Sequence, residues 1–268
     1  MTELTLGFLS LGVLPAMRVL EAAAEGGFSA AGIRLTGRRV GDRDPAIVGN
    51  PSAIKELRDA VKSEGVRISS VTTYHIYPDV RVEDYLSVLE TTATLGCSTI
   101  VAASYEVPDE RLAEFFAAYA DEASQFGIRL SIEFQPYSGI KNLAQANHLI
   151  TLTDRPNVGL LIDALHLARS GGVPSDLAGI APERFHFAQI CDAAASTPAG
   201  MDLMAEARHG RLYAGDGSLP LQDFLKVLPA DIELECESPV HADEGLPPSE
   251  RARRIYQRTA SYLASLGR

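Results

Sequence analysis

The chain has 268 residues, of which 46% are hydrophobic, and carries a formal net charge of −11. It is long enough for one large core, and its acidic balance argues against general affinity for nucleic acid or anionic membranes. That balance leaves room for a local basic pocket that takes a small anion. Cys97, Cys191 and Cys236 form neither a CxxC pair nor a dense framework, which implies reduced thiols. Met1 to Leu11 lacks a basic leader region, and no run approaches the roughly 20 apolar residues of a membrane span. A soluble, cytoplasmic protein is expected.

In chain order, β-rich runs are expected at Leu4–Leu9, Ala30–Leu35, Arg67–Thr73 and Thr99–Ala103, then at Arg129–Glu133, Val158–Asp163, Arg184–Cys191 and Asp231–Glu235. Amphipathic segments separate them. Pro51-Ser52 opens a helix that closes at Glu64-Gly65, Arg81–Leu95 closes at Gly96, and Asp109–Phe126 closes at Gly127. Eight repeats of about 33 residues predict a single-domain (β/α)8 TIM barrel spanning 1–268. A doubly wound open sheet is the alternative. It would place a glycine-rich phosphate loop after an early strand, and the turn after Leu9, Ser-Leu-Gly-Val-Leu-Pro, has no GxGxxG.

A barrel collects its chemistry at the C-terminal ends of its strands. The fifth run ends on Glu133, the sixth on Asp163, the seventh passes Gln189, and the eighth ends on Glu235. Alternation puts Ser131 with Glu133 on one face and Glu233 with Glu235 on one face, leaving Ile132, Ile232 and Leu234 for the helices. Any one of these carboxylates could cap a helix or pair with an arginine. Three of them converging on one rim, with an amide oxygen between, call for a divalent cation. His186 is the rival to Gln189 as a ligand. A spacing of three residues puts it on the opposite face of its strand, so Gln189 is preferred.

At these residues the chain resembles the sugar phosphate isomerase/epimerase superfamily of xylose-isomerase-like TIM barrels. The carrying phrases are Ser131-Ile-Glu133-Phe, Val158-Gly-Leu-Leu-Ile-Asp163-Ala-Leu-His166, Glu233-Leu-Glu235-Cys and Arg208-His-Gly-Arg211. The resemblance implies one divalent metal held by Glu133, Asp163, Gln189 and Glu235. It also implies proton transfer by Glu133 and Glu235, His166 beside the substrate, and an arginine loop (Arg208, Arg211) over it. Many relatives carry a histidine where this chain has Gln189. The change resembles 3-dehydroshikimate dehydratase-like members and favours Mg²⁺ or Mn²⁺, with Co²⁺ or Zn²⁺ as alternatives.

Arg34 stands where many sugar epimerases of the superfamily carry an acid. With Arg38, Arg39 and Arg211 it could bind a substrate carboxylate or phosphate, or neutralise a rim carboxylate. His75 is a further candidate substrate contact. Glu237 shares the parity of Glu235, and the motif favours Glu235.

The expected activity is proton abstraction beside the carbonyl of a keto-sugar or polyhydroxy keto-acid. An enediolate then gives isomerisation or epimerisation, and dehydration of the 3-dehydroshikimate type is the alternative. A DNA-repair endonuclease of this fold resembles a histidine-rich, three-metal site on a basic groove, which six scattered histidines and the acidic charge do not fit. A non-catalytic binding barrel is the third reading. By analogy with the superfamily, a homo-oligomer is implied.

Overall fold

A computed structural model describes residues 3–36, 46–106 and 108–268; Arg38 and Arg39 lie outside them. Eight parallel strands close into a barrel in sequence order. They are β1 (Leu4–Leu6), β2 (Ala30–Ile33), β3 (Arg67–Ile76), β4 (Thr99–Ser104), β5 (Arg129–Glu133), β6 (Val158–Asp163), β7 (Phe185–Ile190) and β8 (Leu234–Cys236). Around them run α1 (Ala16–Gly26), α2 (Pro51–Glu64), α3 (Leu86–Thr94), α4 (Glu110–Ser124) and α5 (Leu143–Thr153), then α6 (Ala164–Arg169), α7 (Leu203–His209), α8 (Leu221–Val227) and α9 (Pro248–Ser265). Among the described residues no helix is long and apolar enough to cross a membrane.

Local chemistry accounts for the borders of these elements. Asn50 accepts hydrogen bonds from the backbone of Ser52 and Ala53, and Pro51 starts α2 without a donor to leave unsatisfied. Gly65 ends that helix at φ 68°, in the left-handed region that a side chain disfavours. Several borders differ from expectation by a few residues, and two of them bear on the rim. The first strand stops at Leu6 because Gly7 turns the chain into a short 3₁₀ helix, Phe8–Leu11. The eighth runs from Leu234 to Cys236, so Glu233 precedes it and Glu237 follows it.

The principal core lies between barrel and helices, where Leu130, Ile132, Leu160, Ile162, Ala188 and Leu234 are buried. A separate buried group, Val101, Leu161 and Phe187, fills the barrel interior. Leu161 and Phe187 share their faces with Asp163 and Gln189, two residues further on, and so form an apolar floor beneath them.

His186 corrects one expectation. Leu160 pairs with Phe185 and Leu161 with Phe187, so a register shift takes up His186 as an extra residue. Its ring bonds the Ser131 hydroxyl at 2.9 Å, and its Nε2 occupies the space that a Cβ on Gly159 would need. His186 therefore sits inside the barrel, below Phe187, and simple alternation fails at the bulge. It is remote from the rim because it lies at the other end of the barrel.

Burial, with Arg129 and Arg184 nearby, pushes the His186 pKa down to about 3, against roughly 6.5 for a histidine in an unfolded chain. Stability from the neutral ring is complete above pH 6.5 and is lost as the pH falls towards 3, because the unfolded chain binds the proton first. Between pH 7 and pH 5 we expect this to amount to about 2 kcal/mol. Urea unfolding at pH 7 and pH 5 will show a His186→Asn protein with a flatter acid slope, smaller by about one proton. Equal slopes would refute the assignment.

Candidate active site at the C-terminal mouth of the barrel

Asp163 closes β6 and caps α6. Its Oδ1 accepts the backbone N–H of His166 at 2.8 Å, the bond an N-cap makes to the third helical residue. The Asp-x-x-His spacing thus brings His166 back to the rim beside the strand end. His166 Nε2 lies 3.7 Å from Glu133 Oε1, both side chains being buried. Among the described residues, Glu133, Asp163 and His166 are the acidic and histidine side chains whose ligand atoms all fall within 4.8 Å of one another.

Gln189 and Glu235 continue the ring. Asp163 pairs in register with Gln189, Gln189 with Glu235, and Glu235 with Thr5. Glu235 stands outside the 4.8 Å group, one strand beyond Gln189. Gln189 Nε2 donates to Glu235 Oε1 at 2.7 Å, and Ser70 Oγ donates to Oε2 at 3.2 Å. The Oε1 atom of Gln189 is buried with no hydrogen-bond partner. An orphaned amide oxygen among carboxylates is a donor set suited to a hard divalent cation, so the residues present fit the metal that the strand ends imply.

Arg211 supplies the positive charge in this structure. It is buried, Nη1 reaches Asp163 Oδ2 at 2.5 Å and Cys191 Sγ at 3.3 Å, and Nη2 reaches Glu237 Oε2 at 3.2 Å. Nε donates to the carbonyl of Ala207, which ties the guanidinium to α7. Burial alone would raise Asp163, but Arg211 and His166 outweigh it and hold its carboxyl below the ordinary value. The other acids go the opposite way. Burial and the neighbouring charges of Glu237 and Asp163 hold Glu133 well above the carboxylate range. Burial, then Glu237, lifts Glu235 to about 8, and burial lifts Glu237 to about 7 against the pull of Arg211. Burial lowers His166 to about 4, so its ring is neutral at pH 7.

A cavity of about 390 Å³ opens onto these groups, lined by Arg34, His75, Glu133, His166, Arg208 and Arg211 among others. Arg34, His75, Arg208 and Arg211, the candidate substrate contacts among the described residues, therefore face one opening. Arg34 lies over the Phe8 ring and donates to the carbonyl of Thr36 at 2.5 Å. His75 packs its ring against Tyr105 at 5.4 Å.

Sequence reasoning missed Gln135, Tyr137 and Arg251, which also line the cavity, and set Glu237 aside. Gln135 Nε2 donates to Glu133 Oε2 at 2.9 Å, and Tyr137 meets His166 edge to face at 5.6 Å. Extending the parity of Glu133 by two residues would have found Gln135. Arg251 comes from α9 and binds the carbonyls of Ser10 and Leu11, a contact that nothing near it in sequence announces.

The family model for a xylose isomerase-like TIM barrel matches residues 20–266. The chain belongs to that family. Over 143 residues it is 29% identical to a 3-dehydroshikimate dehydratase of Pseudomonas aeruginosa, covering 53% of this chain and 22% of the dehydratase. It is 26% identical to an inosose isomerase of Bacillus licheniformis over 157 residues, 55% of each chain. The chain thus spans about a fifth of the dehydratase and about half of the isomerase. Among solved structures, the IolI protein with a bound zinc atom superposes with a TM-score of 0.80 at 17% identity, covering 98% of this chain and 99% of that one. These relatives in sequence are enzymes, and the fold is shared with the third.

Arg211→Met would leave Asp163 and Glu237 buried without their cation, at an expected cost on the order of 3–5 kcal/mol. Urea unfolding in EDTA measures it. A loss well under 1 kcal/mol would show that the pairing is dispensable.

Proposed function

We propose that this chain is a divalent-metal-dependent isomerase or epimerase that moves a proton at the carbon beside the carbonyl of a small keto-sugar or polyhydroxy keto-acid. The observation that carries this reading is the pairing of Glu133 with His166, 3.7 Å apart at the wall of a cavity that Glu237, just past β8, also lines. Glu133, buried and surrounded by negative charge, is suited to taking a proton from carbon and holding it. Glu235, from β8, is the second proton-transfer group. It lies three strands away around the barrel, its carboxyl held by Gln189 and Ser70 beneath the cavity, so any proton it moves must pass through the groups above it.

A divalent cation held by Glu133, Asp163, Gln189 and Glu235 would supply Lewis-acid polarisation of the carbonyl and its neighbouring hydroxyl. The oxygen-only set suits Mg²⁺ or Mn²⁺, with Co²⁺ or Zn²⁺ as the alternatives. His166, neutral and pinned by the cap to Asp163, is placed to donate a hydrogen bond to a substrate oxygen. Gln135 holds the Glu133 carboxyl in one orientation. Arg34, Arg208 and Arg211 line the opening with positive charge suited to a substrate carboxylate or phosphate, and His75 adds a polar wall. Phe8, Leu9 and Val13 supply apolar surface near the mouth.

A second reading is dehydration, in which the same abstraction is followed by loss of a β-hydroxyl. Gln189 favours it, as does the matched segment of the 3-dehydroshikimate dehydratase. Inosose and 3-dehydroshikimate, incubated with Mn²⁺-loaded protein in D₂O, separate the two readings by NMR. Deuterium entering the α-carbon without loss of water is the expected outcome, whereas loss of water would select the lyase. Assayed at saturating Mn²⁺, so that metal stays bound despite the altered ligand, Glu133→Gln should lower exchange by about 10²–10⁴-fold. Undiminished exchange would remove Glu133 as the base.

A further inference from the structure

Arg169 and Glu206 do not line the cavity, yet they form a buried ion pair between two helices that do reach it. Arg169 is the last residue of α6, one turn past His166. Its Nε donates to Glu206 Oε2 at 2.8 Å and its Nη2 to Oε1 at 2.6 Å, a two-toothed fork. Nη2 also donates to the carbonyl of Ala194 at 2.7 Å, and Thr197 Oγ1 donates to Glu206 Oε2 at 2.8 Å. One pair thus ties together α6, α7 and the segment that leads from β7 to α7. Burial would raise the Glu206 carboxyl, but Arg169 and Thr197 outweigh it and hold that group below its ordinary value.

The composition of α7 explains why an ion pair is needed there. Leu-Met-Ala-Glu-Ala-Arg-His spans seven residues, and only Glu206 and Ala207 among them are buried. Ala207 joins a small apolar group with Leu165, Cys191 and Ala193, separate from the principal core. A helix of two turns is marginal without tertiary support, and this one has almost no apolar face to supply it. Yet α7 carries Arg208, which lines the cavity. The Gly210 N–H donates to the carbonyl of Glu206 at 2.8 Å, so the position of Glu206 is carried into the turn that follows Arg208.

We infer that Arg169 and Glu206 are a positioning pair: they hold α7 so that Arg208 faces the substrate, and they set substrate affinity without touching it. The inference rests on the proposed function for the existence of a substrate in this cavity. It goes beyond that reading by giving a role to two residues outside the cavity. The proton-transfer side is anchored elsewhere. Glu133 lies on β5, and His166 is pinned by the cap to Asp163. Breaking the fork should therefore weaken binding and largely spare the proton transfer.

Arg169→Lys keeps the charge that Glu206 needs and loses the fork, whereas Glu206→Gln keeps one acceptor and loses the charge. Deuterium exchange with Mn²⁺-loaded protein gives kcat and KM for whichever of inosose and 3-dehydroshikimate the wild type exchanges. In each variant KM is expected to rise about tenfold or more, with kcat within about threefold of the wild type. The double variant should match the worse single one, because one interaction has been removed twice. Backbone hydrogen exchange in residues 203–211 should quicken about tenfold in both variants. A purely structural role would lower kcat through a smaller folded fraction and leave KM alone, and that result overturns the inference. Unmoved hydrogen exchange in 203–211 overturns it as well. Absence of substrate exchange in the wild type would defeat the proposed function separately, and hydrogen exchange in α7 would still decide whether the pair holds that helix.

Discussion

The guanidinium of Arg211 is the constraint around which this site is built. Several carboxyl groups lie buried at one end of a closed barrel, where an uncompensated charge is costly. Arg211 meets two of them, Asp163 and Glu237, and is tied by Nε to the carbonyl of Ala207. The electrostatics divide accordingly. Asp163, in the shorter contact with the guanidinium and capped by the backbone of His166, stays ionised. Glu237, in the longer contact, is still lifted to about 7 by burial, and Glu133 and Glu235, which the guanidinium does not touch, are driven towards their neutral forms.

The neighbouring elements serve to keep that arginine and its partners in place. Arg169, at the end of α6, forms two bonds to the buried carboxylate of Glu206 on α7, and Thr197 adds a third. Asp192 accepts the backbone N–H groups of Ala193, Gly215 and Leu219, which folds the segment after Arg211 back onto the seventh strand. Arg251 on α9 holds the carbonyls of the first loop. Polar atoms that a loop would otherwise leave unpaired become the fasteners of the rim. The apolar floor of Val101, Leu161 and Phe187 separates this chemistry from the other end of the barrel. There Arg67 bonds Glu233, and His186 bonds Ser131.

Much of this was legible from sequence, for reasons that can be named. Alternation along a strand is a local rule, so Glu133, Asp163 and Glu235 could be assigned to the interior without knowing any contact. The Asp163-x-x-His166 spacing is a cap, also local. Glycines at 65, 96 and 127 end helices because a positive φ favours a residue without a side chain. Where a local rule was broken, the reading went astray. The bulge at His186 shifts the parity of strand seven, and that is a property of how two strands register. Glu235 and Glu237 have the same parity, so no argument along the strand could separate them.

What the amino-acid order determined by itself was therefore the barrel, the rim and the chemical type of the groups on it, since these depend on periods of 2 and 3.6 residues and on chain punctuation. What the tertiary structure decided was who meets whom. Arg211 joins strands six and eight across 48 and 26 residues of chain, Gln189 leans on Glu235 across 46, and Gly7 and Gly32 open a seat for a carboxyl more than 200 residues away. Those pairings are set by closure of the barrel. A pattern of spacings has no term for the angle at which two distant strands come together, and that angle determines which glutamate faces the cavity and which is sealed beneath it.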